Sequence, residues 1–369
     1  MRARDGITLG VLTAALLAAG LARLYGVGPW LDPSASDEAR AQMVSLRAVR
    51  VGAGASVGAC LAVAGVMLQS LMRNPLASPD LMGMSAGAGL AVLIARAAPA
   101  WLGAGAAGWV GVGGGLGTTW EAAPALVGAM ATLGVVFVLS QRRGLVDPTW
   151  LVLIGVMISI LCGAGIMLVQ HLAPGVSGGG SVRVLVGALS DEATGVQVMI
   201  AGGVALGGIG AGIGLGPAMD AASLHSEEAM SVGVPMRRLR VVLLLVSGVL
   251  TAAAVTVAGP LGFVGLVCPH VVRMMSPRVG RRSGRDSGEA EPGRAGTFAG
   301  LGWWGVHRVR IIGSALAGAA LVVGGDAIVS AIRDASPSTG RVPLGVVMAF
   351  VGAPAFVLLL RRGPLGMRG

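Results

Sequence analysis

The stretch AGPLGFVGLVCPHVVRMM, residues 258–275, is apolar enough for a bilayer yet interrupted twice. Gly259-Pro260 stops a helix, because proline has no N–H to donate and its ring clashes with the preceding turn. Pro269 frees a second backbone carbonyl a few residues on. Backbone interrupted in this way is tolerated at membrane depth only where it is buried in protein or lines a cavity. The residues therefore predict a span ending near 258, a reentrant piece around Gly259 and Pro260, and a helix over 262–275 too short to cross alone. Gly259, Pro260 and Pro269 become candidates for a hinge beside a translocation path. His270 reads more readily as the partner of a freed carbonyl than as a ligand.

Outward from this break, the chain is of the same apolar kind. Hydrophobic residues make up 54% of its 369 residues and charged residues 12%, with a mean hydropathy of +0.80. A soluble globule is excluded. Cutting the apolar runs at Arg, Pro and Asp predicts spans at 7–27, 51–71, 82–100, 122–140, 150–171, 196–216, 239–258, 262–275, 309–332 and 343–360. Ten spans need about 200 residues, which the length accommodates. The expected fold class is all-α and polytopic, a single membrane domain over 1–369. An uncleaved first span fits 7–27 better than a signal peptide, its apolar run being longer than an h-region.

All 27 basic residues are Arg, and Lys is absent. A Walker A loop and a pyridoxal Schiff base both require a lysine, so neither resides on this chain. A net charge of +10 with aromatics at only 4% gives no stacking platform for nucleic acid. Topology accounts for the charge instead: with an even span count and a cytoplasmic N-terminus, 19 of the 27 arginines fall on the inside. Both termini are thus expected in the cytoplasm. Cys60, Cys162 and Cys268 stand far apart, and the four histidines lack metal-ligand spacing, so no metal site is expected.

Two further segments carry more than composition. In LQSLMRNPLASPDLMGMSAGAG, residues 68–89, Pro75 and Pro79 force a turn between spans two and three, and Asn74 can satisfy backbone groups there. In PAMDAASLHSEEAMSVGVPMRRLR, residues 217–240, Asp220 can cap one short helix, and 227–230 suit another that ends near Gly233 and Pro235. Such a knob, spanning 217–238, suits insertion into a partner. The Gly-, Ser- and Arg-rich run at 276–306 reads as a flexible cytoplasmic insertion. Small residues recur every fourth position at Gly54 and Gly58, at Gly83 and Gly87, and at Gly155, Ser159 and Gly163. These are marks of a closely packed bundle.

RNPLA at 73–77, GPLGFVGLVCPH at 259–270 and PLGVVMAFVGAPAFVLLLRR at 343–362, in this order and spacing, resemble the FecCD-type (BtuC-like) permeases of bacterial ABC importers. The likeness runs from about residue 43 to 361. It implies a ten-span subunit of the bacterial inner membrane that pairs with a second permease chain, identical or related. Two ATPase subunits would use ATP and Mg below it, and an extracytoplasmic substrate-binding protein would deliver cargo. No cofactor is implied on this chain, which is then not an enzyme.

The resemblance also assigns residues. Leu224, Glu227, Ala229, Gly233 and Val234 match the ATPase-coupling pattern, while His225 and Ser226 depart from it. Arg47 and Arg50 correspond to arginines that meet acids of the binding protein, although Val49 replaces a usual proline. Arg333 is the nearest candidate for a third. Asp147, Pro148 and Thr149 occupy the place of the cytoplasmic gate without its usual hydroxyl pair. Asp326, an acid inside a span, is expected to face protein or water and to pair with an Arg. The family's commonest cargo makes a ferric siderophore the expected substrate, ahead of haem and cobalamin. An ion-coupled secondary transporter is the alternative from another class, disfavoured because Asp326 is the one carboxylate well inside a predicted span and no inverted repeat is evident. An intramembrane enzyme would need a convergent nucleophile and base or a metal set, and none is visible.

Overall fold

Small side chains and long apolar runs give ten helices among the described residues of the computed structural model. It describes residues 3–25, 36–102, 122–142, 145–146, 148–173, 186–189, 194–222, 236–275, 306–335 and 342–362. The helices are α1 (Ala3–Tyr25), α2 (Asp37–Met72), α3 (Met84–Leu102), α4 (Ala122–Leu139), α5 (Pro148–Leu172), α6 (Gly195–Ala222), α7 (Met236–Ala258), α8 (Val264–Met275), α9 (Val306–Ala335) and α10 (Leu344–Arg362). Seven are long and apolar enough to cross a membrane, and Met84–Ala98, Val264–Met275 and Leu344–Leu358 are shorter apolar helices. A two-residue antiparallel ladder, β1 (Gln141–Arg142) with β2 (Leu145–Val146), joins α4 to α5. It is a small addition to the all-helical expectation.

The ten helices coincide with the ten predicted spans, and the largest difference lies in α2. That helix starts at Asp37 rather than 51 and runs for 36 residues, about 54 Å. Ser36 caps it, its Oγ accepting from the Ala39 N–H at 3.3 Å, and Asp37 and Glu38 complement the helix dipole. Arg47 and Arg50 were natural places to end an apolar run. They do not end the helix, because each side chain finds an acceptor inside the protein.

Helix α2 is the axis of the bundle. Its buried residues from Ala53 to Met67 pack with α6, α7, α8, α9 and the start of α10 in one core. A second core, around Leu68, Met82, Met84 and Leu133, joins α3, α4 and α5 to its C-terminal end. Glycines set the closest crossings. A Cβ on Gly58 would run into the Gly318 carbonyl of α9, and one on Gly65 into the Gly265 carbonyl of α8. Gly87 meets Gly128, and Gly155 meets the Leu81 carbonyl, as the small-residue stripes predict; Gly163 faces open space. Large apolar side chains such as Met199 (77% exposed) and Phe350 (79% exposed) cover the outer faces, as suits a surface turned to lipid.

Candidate functional site

The α7–α8 break forms as the sequence predicts, and its geometry is specific. Gly259 turns with φ of 68°, and Phe263, a non-glycine residue, sits at φ of 67°. That conformation costs about 1–3 kcal/mol and persists only where neighbours enforce it. Gly352 of α10 packs directly on the Phe263 side chain, so closely that a Cβ there would meet it. The segment 186–189 is wedged between the break and α10: the Ala188 N–H donates to the Ala258 carbonyl at 2.8 Å, and the Gly345 N–H to the Gly187 carbonyl at 3.0 Å. Pro260 is half-buried, and Pro269 is buried within α8.

Pro269 removes the donor that the Gly265 carbonyl would receive in an uninterrupted helix. The replacement is Gln69 of α2, whose Nε2 donates to that carbonyl at 3.4 Å. The neighbouring His270 ring lies edge-on to Phe356 with centroids 6.5 Å apart. The other end of the same amide is used as well, because Gln69 Oε1 accepts from Arg273 at 2.7 Å. One buried side chain therefore ties the central helix to both the carbonyl freed by Pro269 and the last turn of the half-helix.

The α2–α3 connection follows its prolines. Arg73 ends α2 in the left-handed region and donates from its guanidinium to the Ala222 carbonyl at 2.9 Å. Asn74 Oδ1 accepts from the Leu76 N–H at 2.9 Å, the turn contact anticipated for it. The chain then re-enters the protein, so that Ser159 of α5 donates to the Asp80 carbonyl oxygen at 3.1 Å. The Asp80 carboxyl comes to rest against Gly262 in the α7–α8 break, where a Cβ would stand 2.9 Å from Oδ2. Partly accessible but surrounded by protein, it is pushed above the ordinary carboxyl range by burial.

At the opposite end of the bundle, Asp326 of α9 is 2% exposed and holds two arginines. Arg23 Nε donates at 2.6 Å, and Arg50 donates from Nε at 2.9 Å. Arg50 also reaches the Leu189 carbonyl at 3.3 Å. The expected Asp326–Arg pair is thus present, and its arginine is one assigned from the resemblance to docking. With its guanidinium inside, Arg50 joins α2 to α9 and to the wedge segment. Arg47 is half-buried and donates to the Leu24 carbonyl at 2.9 Å, within electrostatic range of Arg333 and Asp334. Arg333 itself is exposed beside Asp334. The fold therefore brings Arg47 and Arg333, far apart in sequence, to one end.

Pro148 and Thr149 open α5. Asp147 lies outside the described residues, as do Leu224, Glu227, Ala229, Gly233 and Val234, and the insertion at 276–305. Three parts of the site were not anticipated: Gln69, Phe263 and Arg23. Only Gln69 carried a signal, as an amide one turn before Arg73 in an otherwise apolar run.

A long central helix, a reentrant half-helix and seven helices long and apolar enough to cross a membrane describe a polytopic membrane protein. The chain belongs to the FecCD transport family, which matches residues 7–283. It is 30% identical to the cobalamin import system permease protein BtuC of Halobacterium salinarum, over 86% of this chain and 72% of that protein. To the hemin transport system permease protein HmuU of Yersinia pestis it is 30% identical, over 86% of this chain and 83% of the relative. A vitamin B12 import system permease protein BtuC of Yersinia pseudotuberculosis is 28% identical and aligns over 98% and 94% of the two chains. A solved inward-facing ABC transporter assigned to the metal-chelate type superposes with a TM-score of 0.70 at 23% identity, covering 97% of this chain and 100% of that one. The fold is thereby that of an ABC importer permease.

Proposed function

We propose that this chain is one half of the pathway of an ATP-driven importer for metal chelates, with ferric siderophores as the cargo. The observation that carries the reading is the broken α7–α8 hairpin, held against α2 by Gln69 and against the re-entering 78–83 segment at Asp80. Interrupted backbone of this kind belongs beside a cavity, and movement of α8 relative to α2 would alter what that cavity admits. A second permease chain completes the path, two ATPase subunits supply the cycle with ATP and Mg, and a binding protein delivers cargo from outside. Both termini then lie in the cytoplasm.

Within this proposal, Arg47 and Arg333 supply the docking charge for acidic side chains of the binding protein. Arg50, with its guanidinium on Asp326, supports the helix that presents Arg47. Leu224, Glu227, Ala229, Gly233 and Val234 engage the ATPase, and Asp147, Pro148 and Thr149 occupy the inner gate. The names of the relatives make haem and cobalamin the competing cargoes. Iron-limited growth of a deletion strain, fed defined ferric siderophores, haem or cobalamin in turn, separates the three. Loss of growth on ferric siderophore alone supports the proposal, and unchanged uptake of every chelate removes it. Reconstituted permease that moved solute without any ATPase chain would point instead to an ion-coupled carrier.

A further inference from the structure

At the end of the bundle where α2 stops and α9 starts, a cavity of about 270 Å³ opens among Gln69, Arg73, Pro269, Arg273, His307 and Arg310. Three guanidinium groups line it from three elements: the C-cap of α2, the last turn of α8 and the second turn of α9. The nearby carboxylate, Asp220, is already engaged. It accepts from the His307 backbone N–H at 3.2 Å, so capping α9, and pairs with the His307 ring. Arg273 gives one nitrogen to Gln69, but its Nε and that of Arg310 are buried with no acceptor among the described residues.

We infer that this cavity is a binding site for a phosphate group, carried either by free inorganic phosphate or by the headgroup of an anionic phospholipid. Arg273 and Arg310 lie close enough to repel one another. Arg310 also stands near the positive end of the α9 dipole, which disfavours a cation. Water could accept from the two Nε–H groups but carries no charge to offset the repulsion between Arg273 and Arg310, for which Asp220, shared with His307, is the nearby acid. A phosphate group offers several acceptor oxygens and negative charge together, and guanidinium forks match it in shape. Basic pockets between membrane helices hold lipid headgroups by the same chemistry. Arg273 ties the site to Gln69 and so to the α2–α8 contact.

The test uses the full chain, purified and stripped of lipid. Thermal unfolding is followed with inorganic phosphate, with chloride at equal ionic strength, and in bicelles of phosphatidylcholine with or without phosphatidylglycerol. Phosphate or phosphatidylglycerol is expected to raise the melting temperature where its control does not. Arg310→Gln and Arg273→Gln are each expected to weaken the apparent affinity about tenfold, the loss of one charge-assisted bond. A response to phosphate assigns the free ion; a response to phosphatidylglycerol alone assigns the headgroup. Hydrogen exchange on the unaltered protein decides the matter should the variants fail to fold: 270–273 and 306–310 should gain protection with the responding ligand. No stabilisation by either ligand, or stabilisation that survives both substitutions, overturns the site.

Discussion

Arg50 of α2 and Asp326 of α9 meet at 2.9 Å in the interior, and Arg23 of α1 closes on the same carboxylate from its other side. Both arginines are at most 8% exposed, so solvent screens little of the interaction. Removing the shared acid strands two buried cations. Asp326→Ala is expected to cost about 3–5 kcal/mol, the usual penalty for breaking a buried pair from one side. Arg50→Met with Asp326→Leu should cost less than Asp326→Ala, because fewer charges are left unpaired. Thermal unfolding in one detergent measures both. A melting temperature for Asp326→Ala equal to the parent's would show that the triad does not hold α1, α2 and α9 together.

Gln69 yields a sharper test because its role is set by a proline on another helix. Gln69→Leu leaves the Gly265 carbonyl without a donor and takes an acceptor from Arg273, and is expected to cost about 1–3 kcal/mol. Pro269→Ala restores an N–H four residues after that carbonyl, where α-helical bonding can use it. Placed in the Gln69→Leu background, it should recover part of the loss. If the two substitutions instead add independently in a double-mutant cycle, Gln69 is not the substitute donor for Gly265.

The ten helices were legible in the sequence because apolar length and interrupting prolines are local properties. The α7–α8 break was legible for the same reason, down to the glycine and proline that make it. What escaped notice depends on tertiary geometry. Arg50 looked like a surface cation because sequence places it at the edge of an apolar run; only the approach of α9 shows that Asp326 lies opposite it. Asp326 announced its need for a partner, but Arg23, 303 residues away, could not be chosen from spacing. Phe263 gave no warning either, since neither its positive φ nor its close contact with Gly352 on a distant helix is visible in local sequence. Gln69 as a donor to the carbonyl freed by Pro269 also comes from the central helix, 196 residues away in sequence.

The glycine crossings separate packing from composition. Gly65→Ala would drive a methyl group into the Gly265 carbonyl, where the obstacle is backbone rather than a flexible side chain. A loss of about 1–3 kcal/mol is expected, as for overpacking elsewhere. Gly163→Ala is the control, because nothing stands within 4 Å of the new methyl, and helix propensity favours alanine by up to about 1 kcal/mol. Measured side by side, the first should lower the melting temperature and the second should hold or raise it. Equal responses would mean that α2 and α8 do not cross at these residues.

Asp80 carries a pH dependence whose sign follows from its burial. Its carboxyl lies between the α2–α3 connection and Gly262, and desolvation raises its pKa above the ordinary 3.8. A carboxyl whose folded pKa is raised favours the folded state fully while it is protonated in both states. That contribution falls away as pH climbs from the ordinary value through the raised one. Above that window, the folded protein bears the cost of a desolvated charge. Asp80→Asn keeps the shape and removes the charge, so it should melt higher than the parent at pH 8. The advantage should shrink steadily as pH is lowered toward 4. Melting curves that stay parallel across this range would show that the Asp80 carboxylate is solvated or held by a cation, and that its place against the α7–α8 break costs the fold nothing.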